Sequence, residues 1–155
     1  MGDPRRLKKR FKTPSHPWQV ERITEERELT HKYGLKNRRE IWKTNAMLEK
    51  IRRIARDMMA SEPTPELRAF LDRLVGIGLI APEAALEDVL ALGVEDLLGR
   101  RLQTLVFSKG LANTPKHARQ LIAHGHVTIG DRRVNIPSYV VKKVEEEGIA
   151  LRGVA

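Results

Sequence analysis

The chain has 155 residues, and its 29 Lys and Arg against 20 Asp and Glu give a formal net charge of +9. This length suits one ordinary domain or two small ones, and it excludes a barrel or a large doubly wound enzyme. The absence of cysteine excludes a disulfide scaffold, thiolate catalysis and every cysteine-based metal site. An excess of basic residues is typical of proteins that bind polyanions.

The positive charge is distributed unevenly along the chain. Residues 1–60 carry a net charge of +9, residues 61–98 carry −6, and residues 99–155 carry +6. We therefore expect the basic flanks to face a polyanion, while the acidic middle is a spacer or faces solvent or another protein. The basic start lacks the apolar run of a secretory signal, and no stretch approaches the roughly 20 apolar residues of a membrane span. A cytoplasmic protein without a membrane partner is expected.

The N-terminal part is predicted to be a basic arm followed by two helices. Residues 1–17 contain three prolines, so we expect an extended arm that is ordered only by a partner. Helical spacing of apolar residues predicts a first helix over 20–33, stopped by Gly34. A second helix is predicted over 38–59, with one buried apolar stripe, and Pro63 ends it.

The acidic middle is also predicted to be helical. Thr64, followed by a proline and an acid, is a strong helix start, because the threonine caps the helix and proline suits its first position. Pro82-Glu83 is predicted to open another helix, and a short turn over 94–98 follows. These helices and the two before them form a predicted helical domain over 18–98.

The character of the sequence changes in its last third. Spacing predicts one helix over 100–109 and a second over 114–124, the latter begun by a threonine cap and a proline. Polar and apolar residues alternate on both sides of Gly130-Asp131, which predicts a hairpin. The predicted strand positions are Val127, Ile129, Val134 and Ile136, with further short strands over 139–144 and 149–151. The predicted fold class is α+β and predominantly helical, with a helix-pair-plus-β-hairpin module over 99–155.

Basic side chains in this module are placed to bind phosphate. The N-terminus of its second helix offers three unpaired backbone amides and the positive end of the helix dipole, and Lys116, Arg119 and Gln120 project nearby. If the two helices pack as a pair, further cations converge on the same surface, namely Arg100, Arg101 and Lys109 from the first helix and Arg132 and Arg133 from the hairpin turn. Only two of Phe, Trp and Tyr occur after residue 99, so phosphate and 2′-hydroxyl contacts to a structured RNA are favoured over base stacking.

Residues 100–140 combine several short motifs. They are Arg101-Leu102, Thr114, Ala118 to Ile122, Gly125 to Val127, Gly130, and Val134 to Ser138. In this combination the segment resembles the RNA-binding domain of the S-four family of small-subunit ribosomal proteins. With the upstream helices and the basic start, the whole chain resembles the archaeal or eukaryotic form. Bacterial members often carry a cysteine zinc knuckle, which this chain lacks.

The resemblance implies a primary binder of small-subunit ribosomal RNA. Such a protein helps to nucleate assembly of the subunit body, contacts neighbouring ribosomal proteins, supports translational accuracy, and has no enzymatic activity, cofactor or small-molecule substrate. The positions that the resemblance implies to face RNA are Arg100, Arg101, Thr104, Ser108, Lys109, Thr114, Lys116, Arg119, Gln120, His124 and His126. Those it implies for the core are Leu102, Leu105, Ala118, Leu121, Ile122, Val127 and Val134.

Individual residues allow other interpretations. His124 and His126 invite a metal site, but the glycine between them and the lack of a third ligand favour hydrogen bonds to a carbonyl or a phosphate. Trp42 fits packing against a neighbouring helix better than stacking on a base, and Trp18 fits a hydrophobic staple.

Two other functions stay open as alternatives. One is a free-standing RNA binder of the stress type, and the other is an RNA-modifying enzyme that lacks its catalytic domain. Nucleophilic catalysis itself has no support, because neither Ser108 nor Thr114 has a partnered His and Asp at catalytic-looking positions.

Overall fold

A computed structural model describes residue 9 and residues 11–60 and 65–152. Pro63, Thr64 and most of the first ten residues lie outside the described residues, so the predictions made for them stay predictions. The elements are α1 (Val20–Lys32), α2 (Arg39–Met59), α3 (Pro65–Ile77), α4 (Leu86–Ala91), α5 (Val94–Gly99), α6 (Leu102–Ser108), α7 (Pro115–Ala123), β1 (Val127–Ile129), β2 (Arg132–Arg133), α8 (Lys143–Glu146) and β3 (Ile149–Leu151). The predicted fold class, α+β and mostly helical, is confirmed.

Helix α2 carries the core of the N-terminal half. Its buried residues are Ile41, Leu48, Ile51 and Ala55, which confirms the predicted apolar stripe. Helices α3, α4 and α5 pack on that stripe and contribute the buried residues Phe70, Leu74, Val89, Leu92 and Leu97. Within the described ranges, no helix is both long and apolar enough to span a membrane.

Two short helices of the middle part begin where an aspartate accepts a backbone N–H. The Asp88 carboxylate accepts from the N–H of Ala85 at 2.9 Å, so α4 begins at Leu86 and the predicted start at Pro82-Glu83 is wrong. Asp96 accepts from the N–H of Gly93 at 2.7 Å in the same way, which makes the predicted turn over 94–98 a helix. An acid in the first turn satisfies an amide that has no intrahelical partner.

The C-terminal module encloses its own core between α6, α7 and a three-stranded antiparallel sheet of order β2-β1-β3. In that sheet Ile129 pairs with Arg132 on β2 and with Ile149 on β3. The buried core includes Leu102, Leu105, Ala118, Ile122, Val127 and Val134, with Leu121 packed against it, which confirms the predicted set.

The predicted strands after the hairpin turn need correction. Strand β2 ends at Arg133, so Val134 and Ile136 lie beyond it, and Ile136 is 54% exposed. Residues 139–144 form no strand: Val140 makes a single bridge to Arg101, and α8 begins at Lys143. The predicted strand over 149–151 is confirmed as β3.

Gln103 joins the N-terminal helices to the module. The residue is 1% exposed, and its Nε2, with two N–H groups, lies within hydrogen-bond distance of three carbonyl oxygens, those of Tyr33 (3.0 Å), Gly34 (3.0 Å) and Pro115 (2.9 Å). Gly34 has a φ of +58°, and a Cβ there would lie 2.8 Å from the Cβ of Pro115. The turn after α1 therefore needs a glycine both for its left-handed backbone and for its close approach to α7.

The end of the basic arm lies against α1 and α2. Phe11 packs on Trp42 with ring centroids 5.9 Å apart, and Arg22 donates to the carbonyl oxygens of His16 and Pro17. The Trp42 Nε1 donates to the buried carboxylate of Glu26 at 2.9 Å. Trp18 is 88% exposed, so the predicted hydrophobic staple is wrong.

Candidate nucleic-acid interface

The N-terminus of α7 is built as its sequence predicts. Thr114 Oγ1 accepts from the N–H of His117 at 3.1 Å, and Pro115 occupies the first helical position. The cap satisfies one of the free amides, and the positive end of the helix dipole stays at the surface beside the exposed side chain of Lys116.

The predicted RNA-facing residues differ in exposure. Ser108, Lys109, Thr114, Lys116, Gln120, His124, Arg132 and Arg133 are exposed. Arg100, Thr104, Arg119 and His126 are half-buried, and Arg101 is buried. The module therefore exposes eight of the predicted residues to solvent and partly or fully buries the other five.

Arg101 does not face solvent, contrary to the prediction. It is 5% exposed, and its guanidinium pairs with the carboxylate of Glu40 on α2. A buried guanidinium needs such a partner, because an unpaired buried charge is strongly destabilising. The backbone of Arg101 also accepts from the N–H groups of Thr104 and Leu105, so this residue begins α6 as well.

Arg119 shares the same carboxylate. Its Nη2 lies 3.0 Å from Glu40 Oε1, and its Nη1 donates to Gln103 Oε1 at 3.3 Å. Burial by itself raises the pKa of Glu40, but hydrogen bonds from Arg101 and Arg119 outweigh it and hold the pKa below its ordinary value of 4.5. Glu40 is therefore an anion that ties α2 to α6 and α7. Glu40 was not among the predicted site residues, although a single acid among Lys36, Arg39 and Lys43 stands out in the sequence.

Four more of the predicted residues are hydrogen-bonded within the module. Arg100 pairs with Glu146 at 2.8 Å, and the Lys109 ammonium donates to the carbonyl of the same glutamate. Thr104 donates to the carbonyl of Leu98 at 2.7 Å, and Ser108 donates to that of Leu105 at 3.1 Å. The bonds of Arg100, Thr104 and Lys109 hold α6 and its ends to neighbouring segments, whereas that of Ser108 lies within α6.

The exposed face of α7 brings three predicted residues into line. Lys116, Gln120 and His124 are four residues apart, so they lie one above another along the helix. The hairpin adds two cations. Arg132 lies over the ring of Tyr139, 5.6 Å from its centroid, and Arg133 donates to the carbonyl of His124 at 3.0 Å. This row and the two arginines form the outer surface of the module.

A cleft of about 440 Å³ separates α2 from the module. Lys36, Arg39 and Lys43 line it on the side of α2, and Arg119 and Ser138 line it on the other. This basic cleft was not predicted, although Arg39 and Lys43 are four residues apart and so lie on one side of α2. Among the described residues, no three of His, Asp and Glu are grouped to hold a metal ion.

The helix pair, the small sheet and the outward cations define the class of this module. Residues 100–147 match the family described as S4 domain. Over 97% of its length, the chain is 51% identical to the small ribosomal subunit protein uS4 of Methanococcus aeolicus and covers 87% of that protein. The proteins of the same name from Methanothermobacter thermautotrophicus (51% identity, 96% of this chain, 89% of the relative) and Ignicoccus hospitalis (50%, 95% and 90%) are similar to it to the same degree. The chain belongs to the uS4 family of small ribosomal subunit proteins.

Proposed function

We propose that this chain is a structural, ribosomal-RNA-binding component of the small ribosomal subunit and works on the cytoplasmic ribosome. The observation that carries the proposal is the identity of about half of its residues, over nearly the whole chain, to proteins of that subunit. The described surface supports it, because cations at the N-terminus of α7, in the hairpin turn and in the cleft beside α2 suit a phosphate backbone.

We divide the predicted site residues by role in this proposal. Those assigned to RNA contact are Thr114, Lys116, Gln120, His124, His126, Arg132 and Arg133, joined by Lys36, Arg39 and Lys43 of the cleft. Those assigned to holding the surface in place are Arg100, Arg101, Thr104, Ser108, Lys109 and Arg119. All of the second group except Ser108 are hydrogen-bonded to a distant segment or another helix, so substituting these members disturbs the fold as well as the surface.

Three finer statements are part of the same proposal. The chain is a primary binder of small-subunit ribosomal RNA that helps to nucleate assembly of the subunit body. It supports translational accuracy through contact with neighbouring ribosomal proteins. Its units are a basic arm over 1–17, a helical domain over 18–98 and the RNA-binding module over 99–155. The −6 net charge of residues 61–98 suits contact with basic proteins better than contact with RNA.

Two measurements test the function. In cell extracts, we expect nearly all of the chain to sediment with the small subunit in every growth phase. A large free pool that changes with stress would favour a free-standing RNA binder. With purified chain and small-subunit ribosomal RNA, the logarithm of affinity should fall with the logarithm of salt by about 0.7 to 0.9 per phosphate contact. A flat salt response, or equal affinity for large-subunit ribosomal RNA, contradicts the proposal.

A further inference from the structure

The outer face of α7 contains a shallow cleft that none of the ion pairs occupies. Its volume is about 300 Å³, and His117, Gln120, Leu121, His124 and His126 line it. The left-handed turn after α7, where Gly125 has a φ of +75°, brings the last two histidines together. Arg133 lies against that turn, within 2.0 Å of where a Cβ of residue 125 would stand.

The two histidine rings are spaced like the neighbours of a stacked base. Their centroids are 6.4 Å apart and their planes are 27° from parallel. Successive bases in a stacked strand are about 3.4 Å apart, so the separation of the rings is close to two stacking intervals. One flat aromatic ring between two faces needs about 6.8 Å, so the exposed side chain of His124 rotates slightly outward to admit it.

The rest of the lining suits a nucleobase better than a metal ion or a peptide side chain. Leu121 is half-buried and gives the cleft an apolar floor. Gln120 is exposed, and its amide can both donate to and accept from the edge of a base. The guanidinium of Arg133, which donates to the carbonyl of His124 at 3.0 Å, adds a cation beside the cleft.

We propose that this cleft binds one unpaired nucleobase of RNA, stacked between His124 and His126, with Gln120 at the edge of the base. The assignment rests on the proposed RNA-binding function and deepens it. It adds base stacking to a module whose few Phe, Trp and Tyr residues favour phosphate contacts alone. Stacking uses the π-face that every base has, so the cleft tolerates different bases, and the glutamine amide supplies any preference among them.

The test uses the full chain and two RNA probes. The first probe is a short single-stranded RNA with one 2-aminopurine, whose fluorescence is quenched by stacking, and the second is small-subunit ribosomal RNA. We expect the wild-type chain to quench the first probe. His124→Ala should abolish the quenching and weaken binding on the order of tenfold, while His124→Phe, which keeps an aromatic face, should preserve both.

The matched control is His31→Ala, which removes an exposed histidine from α1 and should change neither readout. His124→Ala should also leave the slope of log affinity against log salt unchanged, because no phosphate contact is lost. Thermal unfolding of each variant shows that the fold is intact.

Two outcomes overturn the base-stacking cleft while leaving the proposed function in place. One is a wild-type chain that binds ribosomal RNA but does not quench the probe. The other is a loss of affinity in His124→Ala that comes with a shallower salt slope, or that His124→Phe does not prevent. A wild-type chain that binds neither probe instead overturns the proposed function, and this assignment with it.

Discussion

Glu40 and Arg119 are separated by 79 residues in the chain, yet Oε1 of the first lies 3.0 Å from Nη2 of the second. The same carboxylate also pairs with Arg101, so one acid of α2 binds two arginines of the C-terminal module. The position of α7, and with it the orientation of its outer surface, therefore depends on a residue of the N-terminal helices.

Replacing Glu40 should destabilise the whole fold. Glu40→Gln keeps the shape of the side chain but leaves the guanidinium of Arg101 buried without a counter-charge. We expect a loss of about 2 kcal/mol in the free energy of unfolding, read from a lower urea midpoint at unchanged m-value. The matched control is Glu49→Gln on the same helix. Its ion pair with Lys12 is 3.4 Å long and largely exposed, so that loss should stay below about 1 kcal/mol. Equal losses in the two variants would contradict a special role for Glu40.

Glu40 should also make stability sensitive to acid. Its pKa in the folded protein lies below the ordinary value of 4.5, so its ionised form stabilises the fold fully above pH 4.5. That contribution is lost as the pH falls through the folded pKa. Urea midpoints measured from about pH 5 to about pH 3 should therefore fall more steeply for the wild-type chain than for Glu40→Gln. Parallel curves would show that Glu40 titrates alike in the folded and unfolded chains.

Lys116 is the residue of α7 whose substitution should change RNA affinity with the least effect on stability. It is exposed, and among the described residues no carboxylate forms an ion pair with it. Lys116→Ala should lower affinity for small-subunit ribosomal RNA and reduce the salt slope by about one, with an unchanged melting temperature. Arg68→Ala, at an exposed position of the acidic middle, should change neither.

Arg119 behaves differently in the same experiment. Arg119→Glu places a second carboxylate beside Glu40, so it should lower the melting temperature as well as the affinity. Unchanged melting of this variant, measured beside Lys116→Ala, would argue against the ion pair.

Two glycines should respond in opposite directions to alanine. At Gly34, where the backbone is left-handed, an added Cβ would lie 2.8 Å from the Cβ of Pro115. Gly34→Ala should therefore lower the free energy of unfolding by about 1–3 kcal/mol. Gly76 lies inside α3 with nothing within 4 Å of its added Cβ, and Gly76→Ala should stabilise by about 0.5–1 kcal/mol. Urea unfolding measures both changes. A lower free energy of unfolding for Gly76→Ala would contradict the open space seen beside that residue.

Local signals in the sequence located most of the helices. These signals include Gly34 after α1, the Thr114 cap of α7 and the apolar stripe of α2. Each depends on interactions between residues close together in the chain, so a short sequence window is enough to predict its effect. The start of α4 was missed because Asp88, the third residue of the observed helix, decides where the helix begins.

Partners of charged side chains could not be predicted in the same way. Nothing local distinguishes Arg101, which is buried against a carboxylate 61 residues away, from Arg132, which is exposed and lies 4.0 Å from Glu145. The cleft beside α2 and the spacing of His124 and His126 likewise depend on how distant segments pack. Composition predicted a basic surface, and only the packing shows which of its cations are free of carboxylates.

Gln103 has a consequence for how the protein is made. Its amide binds the carbonyls of Tyr33 and Gly34, which are synthesised 70 and 69 residues before it. At a translation rate of about 5–20 residues per second, the end of α1 waits roughly 4–14 s for its partner to be made. During that interval several groups of the nascent N-terminal helices are uncovered. They are the carbonyls of Tyr33 and Gly34, the side chain of Ile41 and the carboxylate of Glu40. Completion of the fold is thus delayed until the last third of the chain has emerged, and the N-terminal helices are most open to other contacts before then.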